Sequence, residues 1–539
     1  MSKKLKRILV STLCLAMTAS LFGCNSKSKI SVSLPDYWSN GKQFEYFTYI
    51  SPTNGYYTID GFEYFTEDFR TVERYKEMLE CGFNVLYINR DAAYYEDTVW
   101  ETSETKKCFE NAYAAGFKKI ILTDYRINSI IDTGSTVFDP AKAESDPNYD
   151  ADPTHYTYAS EADLDAVIKE YMQVYASMPG FYGLVLLDEP NYKKAEAMGH
   201  VYRSVKRVAT ELGVEDLFIH SNYLPIGATS TNYGVGCKEV HAEGEACPTA
   251  YSYHNHEEMY RNYLERFIQE TGMERISADT YAFRGYGLYH GFYSSIQILA
   301  DLVKKYDIDM SYCLQSWHQY KAGDETFRKV DKSMMYMEMN SLVGFGASKL
   351  AYYVYMPHVS ASSSQNSDTG DGSFLTRDGK RTNVWYNGQT LMREMQEFAP
   401  VVLSYDYQGA KFYRDKISKF GTNYHLSSFT ESVTNTTIEW DNSYEFTILK
   451  DVKLDNDIAL VTELKDFEND LYMYMLQNVI DPDKSTLGDT SMNVEVNFGT
   501  EYTYVAEFDC GQLRYVPLEN GVYKNTLSAG YAVYLIPLK

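Results

Sequence analysis

The strongest constraint on the fold is an alternation of short apolar segments with amphipathic helical segments between residues 44 and 405. Several of the helical segments end at a glycine, namely Gly82, Gly116, Gly213 and Gly272, and an apolar run follows each of them directly. A glycine at the end of a helix, followed by a buried strand, is typical of βαβ units. The predicted strands are 44–51, 84–89, 119–123, 181–187, 217–220, 275–281, 309–315 and 348–355. The predicted helices are 67–81, 103–115, 161–176, 193–212, 257–271, 294–306, 326–343 and 384–398.

Eight such units predict a (β/α)8 TIM barrel, an α/β fold, over residues 44–405. A doubly wound open sheet is the alternative, but it usually carries a glycine-rich phosphate turn after its first strand, and none is present. Residues 406–539 instead alternate apolar and polar side chains with a period of two, between Asp/Asn/Gly turns. This second pattern predicts a small all-β sandwich domain after the barrel.

The N-terminal segment has the pattern of an export signal. Four basic side chains lie within the first seven residues, and the apolar stretch 8–22 that follows is too short to span a bilayer. It ends in the sequence LFGC, which resembles a bacterial lipobox. The resemblance implies a signal peptide at 1–23, cleavage before Cys24, lipidation of its thiol and a tether at 24–43. We therefore expect an exported protein held at the cell membrane or surface by a lipid anchor alone; the alternative is an ordinary secretory signal with an incidental cysteine.

The composition of the chain restricts the kinds of molecule that it can bind. The net charge of −24 repels phosphate backbones, so we expect no nucleic-acid partner. Tyrosine is abundant, with 51 residues against 26 phenylalanines, and its apolar ring with a polar hydroxyl suits clefts and surfaces. The absence of a C-x-x-C motif gives no support for a zinc ribbon or thioredoxin chemistry, and we expect neither a metal nor a cofactor. Cys237 and Cys247 share one loop and could form a disulfide in an exported protein.

Side chains that suit sugar binding follow the predicted strands. In a barrel, the carboxyl ends of the strands form the active-site face. Sugar sites combine hydrogen-bonding groups for hydroxyls, aromatic faces for the ring, and carboxylates for proton transfer. We expect the long insertion at 227–253, after the fifth strand, to contact the substrate as well. The candidate substrate-binding residues at the strand ends are Asp91, Asp124, Asn222, Tyr223, Tyr281, Gln315, Trp317 and Tyr355.

The strongest local signal is Asp188-Glu189-Pro190, which directly follows the apolar fourth strand. Two adjacent carboxylates at the end of a buried strand repel each other, so one of them keeps its proton more readily, as a general acid must. The alternative is that both acids cap the following helix at 192–212, whose N-terminal dipole favours negative charge.

The segment 180–190, GFYGLVLLDEP, resembles the fourth strand of exported bacterial barrels in glycoside hydrolase clan A, near the β-galactosidase-like family 42 group. Four further stretches are similar to that group: 220–225, 276–283, 342–355 and 377–382. The resemblance implies a glycosidase that cleaves O-glycosidic bonds of an extracellular carbohydrate, with Glu189 as the acid/base. In that group an Asn precedes this Glu, whereas here the residue is Asp188.

The clan's nucleophile is a Glu at the end of strand seven, and this chain has no acid there. Three interpretations follow. Asp279 is the second carboxylate, which would give an inverting enzyme if a water fits between it and Glu189. Alternatively, the Asp188-Glu189 pair resembles substrate-assisted N-acetylhexosaminidases, in which the Asp orients the substrate's acetamido group. In the third interpretation the barrel is a non-catalytic glycan-binding lipoprotein. The oligomeric state is not predicted.

Overall fold

The structure is a computed structural model. The predicted signal peptide, Cys24, Asp91, Cys237 and Cys247 lie outside the described residues. The structure describes residues 33–53, 67–89, 99–147, 149–228, 253–285, 287–289, 291–321, 324–357, 373–414, 443–456, 458–482 and 490–539, together with the backbone of the short strands Thr58–Ile59, Phe62–Glu63, Ser428–Thr430 and Thr437–Glu439.

All eight strands predicted for the first part of the chain are present, and they pair in parallel. They form two four-stranded sheets, ordered β1-β8-β7-β6 and β2-β3-β4-β5. The strands are β1 (Glu45–Thr48), β2 (Leu86–Ile88), β3 (Ile120–Leu122), β4 (Phe181–Asp188), β5 (Phe218–Asn222), β6 (Arg275–Ala278), β7 (Asp309–Gln315) and β8 (Ala347–Tyr353).

The expectation of a closed barrel is not met, because the two sheets do not join into one continuous ladder. Between β5 and β6 the pairing is reduced to a single parallel bridge from Tyr223 to Ala278. Between β1 and β2 the carbonyl of Tyr46 accepts from the backbone N–H groups of Asn84 and Val85, both at 3.1 Å. At both seams the backbone contacts involve residues just outside the paired strands, Tyr223 after β5 and Asn84 and Val85 before β2, so the strands meet only near their ends and the ladder does not continue.

Ten α-helices connect the described strands. Those predicted after the first two strands end as expected, since Gly82 and Gly116 have φ near +120°, a conformation that side chains with a Cβ rarely adopt. The short helices α3 and α4 were not predicted. The helices are α1 (Val72–Cys81), α2 (Glu104–Ala115), α3 (Tyr125–Asp132), α4 (Pro140–Ser145), α5 (Glu161–Met172), α6 (Ala195–Glu211), α7 (Tyr253–Thr271), α8 (Gly291–Tyr306), α9 (Lys332–Gly344) and α10 (Asn383–Val402). None of the helices in the described part of the chain has the length and apolar character needed to cross a membrane.

A small antiparallel sheet lies beyond the carboxyl ends of β6 and β7. Its strands are Phe283–Arg284, Gly287–Leu288, Gln319–Lys321 and Asp324–Phe327. The prediction of a helix from residue 326 was therefore wrong at its start, and α9 begins only at Lys332, where Asp331 accepts a hydrogen bond from the N–H of Met334 as the N-cap.

The C-terminal part consists of antiparallel sheets, consistent with the expected all-β character. A six-stranded sheet has the order β9-β11-β12-β17-β14-β15, and a three-stranded sheet has the order β10-β13-β16. These strands are β9 (Asp406–Arg414), β10 (Asp451–Leu454), β11 (Ile458–Asp466), β12 (Leu471–Asn478), β13 (Met492–Asn497), β14 (Tyr504–Asp509), β15 (Gln512–Pro517), β16 (Val522–Leu527) and β17 (Ala532–Leu538).

Helix α9 lies between the parallel strands and the six-stranded sheet. Every side chain from Met334 to Gly344 is buried, which explains why the helix has no polar face. Gln477 of β12 accepts from the Ser341 hydroxyl and donates to the Met337 carbonyl. A Cβ added at Gly344 would lie 2.5 Å from the sulfur of Met475, so a larger residue there would require this methionine side chain to move.

Candidate active site

A cavity of about 210 Å³ opens at the carboxyl ends of the parallel strands. Three carboxylic acids, four aromatic rings, one amide and one thiol contribute to its wall, and these groups come from several separate strands. The described residues that line it are Tyr49, Asp188, Glu189, Asn222, Asp279, Tyr281, Cys313, Trp317 and Tyr353.

Asp188 and Glu189 come from the end of β4. The pairing of β4 with β5 shifts register between Val185 and Asp188, and Glu189 adopts φ +48°. Its N–H donates to the carbonyl of Asn222 at 2.8 Å, which ties this turn to β5. A left-handed conformation is unfavourable for a residue with a side chain, and such residues cluster at functional sites. The conformation of Glu189 ends the alternation of side-chain directions along β4, so the carboxylates of Asp188 and Glu189 line the same cavity.

All three acids of the cavity have raised pKa values. Burial, and then the charge of Glu189, raise the pKa of Asp188 to about 7, opposed by a hydrogen bond from Asn222. Burial also raises the pKa of Glu189. The side chains of both acids reach solvent through the cavity. Protein surrounds them on their other sides and removes much of their hydration, which raises the pKa of a carboxyl group. The site can therefore hold protonated carboxyl groups near neutral pH.

Asp279 follows β6 and is the most enclosed of the three, with 8% of its surface exposed. Burial and the charges of Glu189 and Asp188 raise its pKa well above the ordinary value, while hydrogen bonds from Tyr281 and Asn222 oppose the shift. The Tyr281 hydroxyl donates to Oδ2 of Asp279 at 3.2 Å. Asp279 is thus an enclosed carboxyl group whose protonated form is favoured over that of an ordinary carboxyl group.

An aromatic wall faces these acids. The ring of Trp317 lies edge-on to Tyr353 at 5.2 Å and to Tyr281 at 6.2 Å between centroids. Tyr353 in turn lies 6.3 Å from Tyr49. Such a wall offers apolar faces beside polar groups, which is the general character of a small-molecule site.

Six of the predicted site residues are brought together in the cavity: Asp188, Glu189, Asn222, Asp279, Tyr281 and Trp317. The structure does not bring Asp124 there. It is buried at the N-terminus of α3, where it accepts from the N–H and guanidinium of Arg126 and from the Tyr175 hydroxyl. Its position after β3 therefore reflects helix capping.

Tyr223, Gln315 and Tyr355 are also outside the cavity. Tyr223 packs against Tyr263 and Phe267 of α7, because successive strand residues alternate in direction and Asn222 occupies the inward position. Gln315 is fully buried, and its amide bonds the backbone of Phe283 and the Arg328 carbonyl.

Tyr355 lies beyond the end of β8, where its ring stacks on Phe374 at 5.7 Å and meets Phe83 edge-on at 5.6 Å. Tyr353, two residues earlier and still within the strand, lines the cavity instead. The eighth strand thus contributes an aromatic ring to the cavity through Tyr353 and not through the candidate Tyr355.

Sequence reasoning missed Tyr49 and Cys313 as cavity residues. Tyr49 directly follows β1, so the strand-end pattern that identifies the other candidates applies to it as well. Cys313 lies in an apolar run of the sequence and is buried, yet it lines the cavity. Its Sγ lies 4.0 Å from the Tyr281 hydroxyl.

Glu338 of α9 is a buried carboxyl group behind the site that the sequence did not reveal. It accepts from the N–H of Ala282 at 3.2 Å and from the N–H of Gln315 at 3.0 Å. Burial raises its pKa to about 8, against these two hydrogen bonds. Glu338 therefore joins the segments that follow β6 and end β7. Within the described part of the chain, no three His, Cys, Asp or Glu side chains are grouped as ligands for a metal ion.

No protein-family model and no curated protein matches the chain. Among solved structures, it is similar to an α-amylase from Anoxybacillus at 10% identity and a TM-score of 0.44, covering 92% of this chain and 98% of that one. A glycoside hydrolase family 5 protein from Bacteroides vulgatus gives 10% identity and a TM-score of 0.41, covering 93% and 94%. A xylanase 10B from Thermotoga maritima gives 10% and 0.37, covering 68% and 99%. These neighbours are glycoside hydrolases, but similarity at this level does not establish a family.

Proposed function

We propose that the chain is a glycoside hydrolase that cleaves O-glycosidic bonds of a carbohydrate. The observation that carries this proposal is the meeting of Asp188, Glu189 and Asp279 in one cavity with an aromatic wall. Hydrolysis of a glycoside requires one carboxyl group that gives a proton to the leaving oxygen and a second, ionised one that acts as base or nucleophile. Raised and mutually dependent pKa values are what such a pair needs.

Accessibility separates the roles of the three acids. Glu189 is open to the cavity and has a raised pKa, so we assign it the proton donor. Asp188 is also open, and because the charge of Glu189 contributes to its raised pKa, a protonated Glu189 allows Asp188 to be ionised as the partner. Asp279 is enclosed, and its raised pKa favours the protonated form. We therefore assign it the role of forming a hydrogen bond with the sugar, and not that of the ionised partner. Asp279 remains the alternative partner if substrate binding ionises it.

The test is hydrolysis of a panel of aryl glycosides by wild-type protein, Glu189→Gln, Asp188→Asn and Asp279→Asn. Loss of the proton donor should slow substrates with poor leaving groups by about 10²–10⁴-fold and spare 2,4-dinitrophenyl glycosides. Loss of the partner should slow both kinds equally. We expect the first behaviour from Glu189→Gln and the second from Asp188→Asn. The assignment is wrong if Asp279→Asn shows the second behaviour instead.

A substrate-assisted N-acetylhexosaminidase is the second candidate, because the adjacent Asp188 and Glu189 both line the cavity. In that mechanism the acetamido group of the substrate attacks, and one acid orients it. Cleavage restricted to 2-acetamido glycosides would favour this candidate. Binding of oligosaccharides without cleavage of any panel member would favour a glycan-binding protein.

We also propose that the protein is exported and anchored through a lipid on Cys24. The support is the basic N-terminus, the short apolar stretch and the LFGC sequence. This location would give the cavity access to extracellular carbohydrate.

A further inference from the structure

Tyr49 and His220 form a buried pair beside the three acids. The Tyr49 hydroxyl lies 2.9 Å from Nε2 of His220, and the exposed fractions of the two residues are 6% and 1%. Tyr49 lines the cavity, whereas His220 lies behind it. A single hydrogen bond joins the two groups, so only one of them donates to the other.

The ring of His220 is enclosed by aromatic side chains. It meets Phe47 edge-on at 5.0 Å and stacks on Phe218 at 5.8 Å between centroids. Its Nδ1 is buried and has no hydrogen-bond partner. Burial, together with the charge of Arg275 on β6, lowers the pKa of His220 to about 3. The imidazole is therefore neutral at the pH of any ordinary assay.

A neutral imidazole carries one proton, on either Nδ1 or Nε2. With the proton on Nδ1, His220 would hold a buried N–H donor that has no acceptor. With the proton on Nε2, the N–H donates to the Tyr49 oxygen, and only a bare ring nitrogen stays unpaired. Orphaned buried donors are rarer than under-used acceptors. The geometry therefore favours the Nε2–H form.

When His220 carries its proton on Nε2, the Tyr49 oxygen accepts that hydrogen bond, and the hydroxyl proton of Tyr49 is not donated to His220. The titratable groups that face Tyr49 are Asp188, Cys313, Tyr87 and Asp279. Of these, Tyr87 uses its own hydroxyl in a bond to Thr123 at 2.8 Å, whereas the other three line the cavity. The negative charge that Asp188 carries when it is ionised attracts the Tyr49 proton toward the cavity.

We propose that Tyr49 donates a hydrogen bond to the sugar bound in the cavity, and that His220, protonated on Nε2, is the positioning residue that directs the Tyr49 proton there. The identity of the ligand in this proposal rests on the proposed function. The protonation of His220 does not, so the two can fail separately.

The first experiment is ¹⁵N NMR of full-length protein with labelled histidine, without ligand. The His220 resonances are identified by their loss in His220→Gln or, if that variant does not fold, by their shift in Tyr49→Phe. We expect a neutral ring with the proton on Nε2 between pH 5 and pH 8. A proton on Nδ1, as would result if that N–H faced the Phe47 ring, overturns the proposal whatever the activity.

The second experiment measures kcat/KM on the aryl glycoside that the wild-type protein cleaves. Tyr49→Phe should lower it about tenfold or more, because a hydrogen bond to the sugar is lost while the ring stays. The matched control Tyr87→Phe removes a neighbouring hydroxyl that bonds Thr123 and should change kcat/KM less than about twofold. Equal rates for Tyr49→Phe and the wild-type protein contradict the donor role. If no glycoside is cleaved, the proposed function fails, and the NMR result alone decides the direction of the proton.

Discussion

Glu189 shows how the site depends on single residues. Its φ of +48° interrupts the alternation of β4, and as a result two consecutive acids line one cavity. Asp279 adds a third acid with little exposure, and burial together with the charges of Glu189 and Asp188 raises its pKa well above the ordinary value. Such an arrangement costs stability, since proteins bury ionisable groups only where other interactions offset the desolvation.

This cost predicts a pH-dependent gain in stability for Asp188→Asn. The folded-state pKa of Asp188 is about 7 against an ordinary 3.8, so the native state holds a proton that the unfolded chain loses. Stability from this group is therefore present below about pH 4 and lost as the pH rises to about 7. The Tm of Asp188→Asn minus that of the wild-type protein should increase over this window and then stay constant. Differential scanning calorimetry from pH 4 to pH 8 measures it.

The control for that series is Asp132→Asn, which changes an exposed acid paired with Lys194. Its Tm difference from wild type should not grow between pH 4 and pH 7. A Tm difference for Asp188→Asn that is flat or decreases over the same window would contradict the raised pKa.

The sequence predicted the three acids of the cavity, but it did not predict the direction of every candidate side chain. The strand ends identified Asp188, Glu189, Asn222 and Asp279, because polar residues that follow buried strands meet at one face. Gln315 has the same sequence signal, yet its amide is used by the backbone of Phe283 and Arg328. That use depends on where the antiparallel strands beyond β6 and β7 run, and strand-end patterns do not contain this information.

The elements around the site are joined by buried polar groups. Glu338 on α9 holds the backbone at both Ala282 and Gln315, and Gln315 holds the segment at Arg328. Arg328 in turn forms a two-pronged pair with Asp481 of the C-terminal part, with both distances at 3.0 Å. The small antiparallel sheet beyond β6 and β7 is thereby connected to the C-terminal part of the chain.

Breaking the buried pair predicts a large loss of stability. Arg328 has a side-chain exposure of 6% and Asp481 of 0%, so Asp481→Ala removes a buried carboxylate that pairs with a buried guanidinium. We expect a loss of about 3–5 kcal/mol in the free energy of unfolding by urea. Glu495→Ala removes an exposed pair with Lys524 and should leave the free energy of unfolding nearly unchanged. Similar losses for the two variants would contradict the role of the pair.

The element boundaries that the sequence missed have a common cause. All eight parallel strands were found, because buried apolar runs give a strong signal. The short strands between 283 and 327 have two to four residues each, too few for a period to be read. The expectation of closure also failed because strand overlap at the two seams depends on exact lengths, which pattern reading does not give.

For the whole molecule, the change from helices to antiparallel strands falls between Val402 and Asp406, near the predicted end of the barrel domain at 405. The sequence did not indicate how closely these parts are packed. Helix α9 is buried on all sides, with Tyr534 donating to the Asn340 side chain at 3.2 Å. We therefore expect the two parts to unfold together, in one transition.

The proposed lipid on Cys24 predicts that the whole protein is found in the membrane fraction of the cell. In bacterial cells that express the full-length chain and are fed labelled palmitate, we expect incorporation into the wild-type protein and its recovery in the membrane fraction. Cys24→Ser should abolish both, because it removes the acceptor thiol. The control Cys510→Ser changes an exposed thiol and should leave both unchanged. Labelling that survives Cys24→Ser would contradict the anchor.

The most direct test of the proposed glycosidase is the ratio of kcat/KM for Glu189→Gln and wild-type protein on a glycoside that has a poor leaving group and that the latter cleaves. Glu101→Gln serves as the matched control, since Glu101 is exposed on the surface and pairs with Lys106. We predict a loss of about 10²–10⁴-fold for Glu189→Gln and less than about twofold for Glu101→Gln. Activity of Glu189→Gln within tenfold of wild type, with both variants equally well folded, would contradict the assignment of Glu189 as the proton donor.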